Sequence, residues 1–316
     1  MKRAILYAGQ GSQHTGMGKD LYEKYPEFKA IFDDTNLPFD IKTACFENPD
    51  DMLLQTKYTQ PCMVAFAAGV SKILEKAGVH ADYVAGLSLG EYSALEAAGV
   101  LGSAEAVEIA AFRGNAMAKA AEGVEAGMTA VLGLEEAKLQ ECCATASEKG
   151  IVSICNYNCP GQLVISGEKA AVEAASELAK EAGAKRCVPL AVSGPFHTQL
   201  MHPAGEALKG YFEKVDFKPS NIEVMFNTLG KENTDNESIS DLLVKQVQSS
   251  VKMEAIIRRL FDLGVREFVE VGPGKALTGF VKKTAKAMDI KDYTCYSLET
   301  AEDIESFLNE ADLKLA

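Results

Sequence analysis

The sequence is short of several things, and each shortage narrows what the chain can do. No apolar run approaches membrane-spanning length. The longest, CMVAFAAGV at 62–70, falls far below the ~20 residues a bilayer requires. The first residues, MKRAILYAGQG, hold too few apolar side chains before Gly9 to read as a signal peptide. Basic residues are outnumbered, 32 against 45 acids, for a net charge of −13. That balance argues against nucleic acid as a partner, because phosphate binding needs a basic face. The eight cysteines include no CxxC pair and read as reduced thiols of a cytoplasmic protein. Cys155 and Cys159 have no histidine near them in sequence, so no metal site is expected. Histidine is scarce as well: only four occur, which shortens the search for a base.

What remains is an ordinary globular composition, 47% hydrophobic and 24% charged, on a chain long enough to bury a large core. Short β-type runs alternate with amphipathic helical runs, the pattern of a mostly parallel sheet covered by helices. AILYAG (4–9) reads as a strand, CMVAFAAGVSKILEKAG as a helix entered at Pro61, DYVAG as a strand and EYSALEAAG as a helix. From about 126 to 190 the order becomes βαββαβ, that of a ferredoxin-like unit. The expected fold class is therefore α/β: a large α/β-hydrolase-like domain over 1–124 and 194–316, with a small ferredoxin-like subdomain inserted at 125–193. HTQLMHPAGEALKGYFEKV, SISDLLVKQVQ and MEAIIRRLFDLG read as later helices, and REFVEVGPG as a late buried strand.

VAGLSLGEYSAL at 84–95 carries the first chemical signal. Ser88 with Glu91 three residues on fits a capping box, in which the hydroxyl merely starts a helix. A cap has no need of glycines at 86 and 90. GxSxG marks instead a tight strand-to-helix elbow that lifts a nucleophilic serine clear of the backbone beside helix N–H groups. Among the histidines, His80 reads as solvated, His14 as a loop residue, and His202 as a helix residue. His197, just past a strand and a Ser-Gly-Pro turn, falls at the strand ends where ligands bind in α/β folds, and a helix N-terminus there would keep it neutral. Arg113 lies on an apolar helix stripe beside Ile109, Ala110, Ala116 and Met117. It must snorkel, pair with a buried acid, or hold an anionic ligand. GQGSQH breaks the dinucleotide fingerprint, and GPGK at 272–275 lacks phosphate-loop spacing, so a nucleotide site is weakly supported.

Taken together, GQGSQ with GMG at 9–18, GLSLGEYSAL at 86–95, FRG at 112–114, NYNCPGQLVISG at 156–167, SGPFHT at 193–198, Gln246 and EVGPGKALTG at 270–279 resemble the malonyl-CoA:acyl carrier protein transacylases of type II fatty acid synthesis. The resemblance implies a ping-pong acyl transfer through a malonyl ester on Ser88, with His197 as base and then acid. It implies an oxyanion hole from the backbone N–H groups of Gln10 and Leu89, and an imidazole oriented by a backbone carbonyl at Gln246. Arg113 would clamp the malonyl carboxylate. Phe196 resembles the bulky residue with which related polyketide acyltransferases exclude an α-methyl group. Leu87 and Asn156 belong to the same expected substrate site; at 87 the family usually has histidine, so this chain departs there. The implied partners are malonyl-CoA, as substrate, and an acyl carrier protein, with no cofactor. Such carriers are acidic, which makes Lys185 with Arg186, or Lys275, Lys282, Lys283 and Lys286, the expected docking face. Supply of polyketide rather than fatty acid synthesis is the alternative within the family.

Two rival classes differ in kind. A serine esterase or thioesterase of the α/β-hydrolase type also uses GxSxG but places a histidine late in the chain, and none follows residue 202 here. A non-catalytic carrier-binding subunit would not need Ser88, His197 and Arg113 together.

Overall fold

The computed structural model describes residues 1–191 and 194–311. Ser193 of the SGPFHT motif and residues 312–316 lie outside the described residues. Ten strands occur among the described residues. In chain order they are β1 (Lys2–Tyr7) and β2 (Tyr83–Gly86); β3 (Ala126–Leu132), β4 (Val152–Cys159), β5 (Gln162–Glu168) and β6 (Arg186–Pro189); then β7 (Glu223–Phe226), β8 (Lys231–Glu232), β9 (Val265–Val271) and β10 (Thr294–Leu298).

The larger sheet has the order β10-β9-β1-β2-β7-β8. Its first five strands pair in parallel, and only the two-residue edge strand β8 is antiparallel. Alternate residues feed two cores because helices cover both faces. Ala4, Leu6, Ala85 and Phe268 pack with the helices Met253–Asp262 and Ala276–Ala287. Ile5, Tyr7, Val84 and Val269 pack with the helices Thr56–Lys76 and Ser103–Ala120 on the other side.

The smaller sheet has the order β4-β5-β3-β6, antiparallel throughout, as a βαββαβ chain closing into a ferredoxin-like unit requires. Helices Glu136–Ala146 and Lys169–Glu181 cover one face through Leu139, Cys142, Val172 and Ala175. Met128 and Val164 point to the other face, toward the large sheet. Val251 clasps the two parts together: its N–H donates to Cys155 O, and its carbonyl accepts from Tyr157 N, each at 2.8 Å.

Three sequence expectations need correction. The helix expected to begin at Pro61 begins at Thr56, with Pro61 inside it; Thr56 to Gln60 lack the apolar periodicity that marks the rest. The helix expected from His197 is in fact a 3₁₀ turn over Gln199–Met201 followed by an α-helix over His202–Phe212. Strands β7, β8 and β10 are unmarked in the sequence: β7 has four residues, β8 only two within a polar stretch, and β10 is half-buried without clear alternation.

Candidate active site

The elbow at the end of β2 is built by close packing. A Cβ on Gly86 would fall 1.9 Å from Gly90 C, and one on Gly90 would fall 2.1 Å from Tyr7 O at the end of β1. Strand, turn and following helix therefore meet at distances only glycine allows. Between them Ser88 takes φ 52°, a left-handed conformation that costs a side-chain-bearing residue ~1–3 kcal/mol and is characteristic of functional turns. The capping box does not form. The helix Gly90–Ala97 begins after Leu89 without a side-chain cap, and Glu91 turns instead to the backbone N–H of Asn227, 2.6 Å away.

The released Ser88 hydroxyl points at His197: Oγ and Nε2 lie 2.7 Å apart. The other ring nitrogen, Nδ1, donates to the Gln246 carbonyl at 2.8 Å. That bond places the proton on Nδ1 and leaves Nε2 to accept from the serine. A backbone carbonyl thus does the orienting that an aspartate does in a triad. His197 is 5% exposed, and burial first, then the nearby Arg113 charge, lowers its pKa to about 4. The sequence points to a helix start as the reason for neutrality; His197 does stand just before the N-cap Thr198 of the 3₁₀ turn, with φ 60°, but burial and Arg113 lead the shift.

Arg113 neither snorkels nor forms an ion pair with an acid among the described residues; it is fully buried. Its Nη2 donates to Ser88 Oγ at 3.1 Å and to Gln246 Oε1 at 3.0 Å, and the guanidinium carbon lies 5.3 Å from the centre of the Tyr92 ring. Nε has no hydrogen-bond partner among the described residues. A fully buried cation beside the serine oxygen, with one donor unpartnered among the described residues, is chemically suited to meet an anionic group. The Gln246 side chain completes this cluster, its Nε2 donating to Ser88 O at 2.7 Å.

A cleft of about 330 Å³ opens above Ser88. Gln10, Leu87, Leu89, Arg113, Asn156, Phe196 and His197 all line it. Gln10 is held from below, its Nε2 donating to Thr56 Oγ1 at 3.1 Å. Sequence reasoning missed Gln60, Asn158 and Asn227. Gln60 Oε1 and Asn158 Oδ1 are buried without partners among the described residues, and both residues line the cleft. The six basic residues expected to dock a carrier do not line it. Lys185 borders a separate groove of about 800 Å³ between the small sheet and the helix Met253–Asp262. Arg186, Lys275, Lys282, Lys283 and Lys286 are exposed, and Lys283 Nζ donates to Gln162 Oε1 at 3.3 Å. Among the other histidines, His14 pairs with Glu299 at 2.5 Å, His202 meets Gln248, and His80 is exposed.

The sequence matches the acyl transferase domain family over residues 5–312. The chain belongs to that family. It is 42% identical over 290 residues to the malonyl CoA-acyl carrier protein transacylase of Bacillus subtilis (strain 168), covering 91% of this chain and 92% of that one. The fold matches the crystal structure of malonyl CoA-acyl carrier protein transacylase from Clostridium perfringens with a TM-score of 0.93 and 38% identity, over 99% and 98% of the two chains. It also matches a malonyl-transacylase solved in complex with its type II PKS acyl-carrier protein, with a TM-score of 0.93 and 32% identity over 98% and 100%. No histidine follows residue 202 in this sequence, which separates it from the esterases that share GxSxG.

Proposed function

We propose that this chain moves the malonyl group from malonyl-CoA to the phosphopantetheine thiol of an acyl carrier protein, supplying fatty acid synthesis. The observation that carries the reading is the fully buried Arg113 guanidinium, 3.1 Å from Ser88 Oγ. A simple acyl transfer needs a nucleophile and a base; a buried cation beside them selects an acyl group that ends in a carboxylate.

In the first half-reaction Ser88 Oγ attacks the thioester carbon and gives its proton to His197 Nε2. The C–S bond then breaks, and the same proton passes to the leaving thiolate of coenzyme A. In the second half-reaction the carrier thiol attacks the malonyl-serine ester, His197 takes the thiol proton, and it returns that proton to Ser88 Oγ. We assign the oxyanion hole to the N–H groups of Gln10 and Leu89, each such donor being worth ~10²–10³ in rate. Phe196, Leu87 and Asn156 shape the acyl pocket. Malonyl-CoA is a substrate, and the reaction as written calls on no cofactor.

The same reading treats residues 125–193 as a subdomain that roofs the cleft, on residues 1–124 and 194–316 as the catalytic part. It places the work in the cytoplasm; no helix among the described residues is long and apolar enough to cross a membrane. Carrier docking is assigned to Lys185 and Arg186, or to the exposed lysines at 275, 282, 283 and 286. The solved complex of a related malonyl-transacylase with a type II PKS carrier keeps polyketide supply as a second reading of the client pathway.

Incubating the protein with malonyl-CoA and holo acyl carrier protein tests the proposal. Malonyl-carrier and free coenzyme A should appear together in equal amounts. Release of malonate without malonyl-carrier would mean hydrolysis and refute it.

A further inference from the structure

Asn227 follows the last residue of β7, the strand paired with β2, and it is fully buried. Its side chain straddles the nucleophile turn. Oδ1 accepts from the Ser88 N–H at 2.7 Å, and Nδ2 donates to Gly86 O at 2.7 Å. Its main chain is also committed: the N–H donates to Glu91 Oε2 at 2.6 Å, and the carbonyl accepts from Lys252 N at 3.0 Å. One side chain thus grips the residues before and at the nucleophile, and its own backbone is tied to the helix that follows.

We propose that Asn227 is the positioning residue of the reaction, an amide clamp that holds the strained Ser88 turn so that its hydroxyl faces His197. The inference rests on the Ser88/His197 reading and adds to it. Ser88 pays a conformational cost at φ 52° that something must offset. An isolated elbow would relax toward the ordinary helical or extended regions and swing Oγ away from Nε2. The two Asn227 hydrogen bonds oppose that rotation. By occupying the Ser88 N–H they also leave Leu89 as the amide that can face the developing oxyanion. Asn227 touches neither substrate nor reacting atom, so its effect passes through Ser88.

An amide is suited to this task because one end must donate and the other accept. A protonated carboxyl offers the same pair; a carboxylate offers only acceptors and would repel Gly86 O. That contrast supplies the test. Single-turnover acylation of Ser88 by malonyl-CoA is measured for the wild type, Asn227→Ala and Asn227→Asp, alongside labelling by a fluorophosphonate that reports serine nucleophilicity whatever the acyl donor. Loss of the clamp in Asn227→Ala should slow both reactions about a hundredfold, as displacement of a reacting group by about an ångström does, with the KM for malonyl-CoA unchanged. In Asn227→Asp the substituted carboxyl, buried and therefore raised in pKa, should support near-normal rates at acid pH. Its rates should decline as pH rises, where the wild type shows no such fall. If the alanine variant does not fold, the pH profile of the aspartate variant decides alone. A folded Asn227→Ala protein labelled at the wild-type rate, or an Asn227→Asp profile parallel to the wild type, overturns the inference. Failure of malonyl-CoA to acylate wild-type Ser88 that still reacts with the fluorophosphonate would instead count against the malonyl reading and leave the clamp standing.

Discussion

Ser88 Oγ and His197 Nε2 lie 2.7 Å apart although 109 positions separate them in sequence. The contact exists because β2 and the segment leaving the small sheet deliver their residues to the same edge of the parallel sheet, where such folds bind ligands. The proposed role of His197 as base requires a neutral imidazole, and its depressed pKa of about 4, caused by burial and then by Arg113, keeps it neutral well below the usual histidine range. Since kcat/KM reports the free enzyme, the acid limb of the acylation profile should fall near pH 4. In Arg113→Ala the cationic neighbour is gone, and the limb should move to higher pH. A wild-type limb near the ordinary histidine value of 6.5 would contradict the depression attributed to burial and Arg113.

Arg113 should also set acyl selectivity. Arg113→Ala should cut malonyl transfer by about a hundredfold, the equivalent of ~3 kcal/mol of charge-assisted hydrogen bonding, and should leave acetyl-CoA turnover comparatively unharmed. Parallel kcat/KM measurements with malonyl-CoA and acetyl-CoA check it; equal losses for both donors would assign the guanidinium to the nucleophile alone.

Glu91 gives a stability prediction. It is completely buried, and burial raises its pKa from 4.5 to about 8, so it is a neutral acid in the fold at pH 7. An acid whose folded pKa is raised favours folding below its unfolded pKa, and that advantage is lost as pH rises toward the folded value. The contribution of Glu91 to stability should therefore decline between pH 4.5 and about 8, by up to ~1.4 kcal/mol per pH unit. Glu91→Gln, which keeps an acceptor for the Asn227 N–H, should flatten that slope. Denaturant titrations of both proteins at several pH values provide the comparison.

The proposed docking face predicts a split between the two half-reactions. Charge reversal at Lys282, Lys283 and Lys286, all exposed and without ion pairs among the described residues, should raise the KM for an acidic carrier and steepen no part of the malonyl-CoA dependence. The same substitutions at Lys185 and Arg186 test the alternative patch. Unchanged transfer to the carrier in both sets would remove these residues from the interface.

Much of this site is readable in the chain because the chemistry leaves local marks. Gly86 and Gly90 around Ser88 announce an elbow, four histidines leave few candidates for a base, and an arginine on an apolar stripe asks for a ligand. The two-sheet arrangement is readable too, since buried parallel strands and the βαββαβ order have distinct patterns. What does not show is whatever depends on distant segments meeting. Asn227 sits at the end of a four-residue strand with no motif around it, and its role appears only when β7 lies beside β2. The main reasons for the neutrality of His197 are hidden for the same cause: burial and the Arg113 charge come from other elements, whereas a helix start is a local feature. Glu91 was plausible as a capping partner by spacing, yet a backbone N–H 136 positions away claims it.

In the proposed mechanism one alcohol, Ser88, carries the acyl group between donor and acceptor. Intact-mass spectrometry after brief exposure to malonyl-CoA tests it most directly, comparing the wild type with Ser88→Ala. The wild type should gain the mass of a single malonyl group and lose it again when holo acyl carrier protein is added, while Ser88→Ala gains nothing. A malonyl adduct on the alanine variant, or a wild-type adduct that the carrier thiol cannot discharge, would contradict the account.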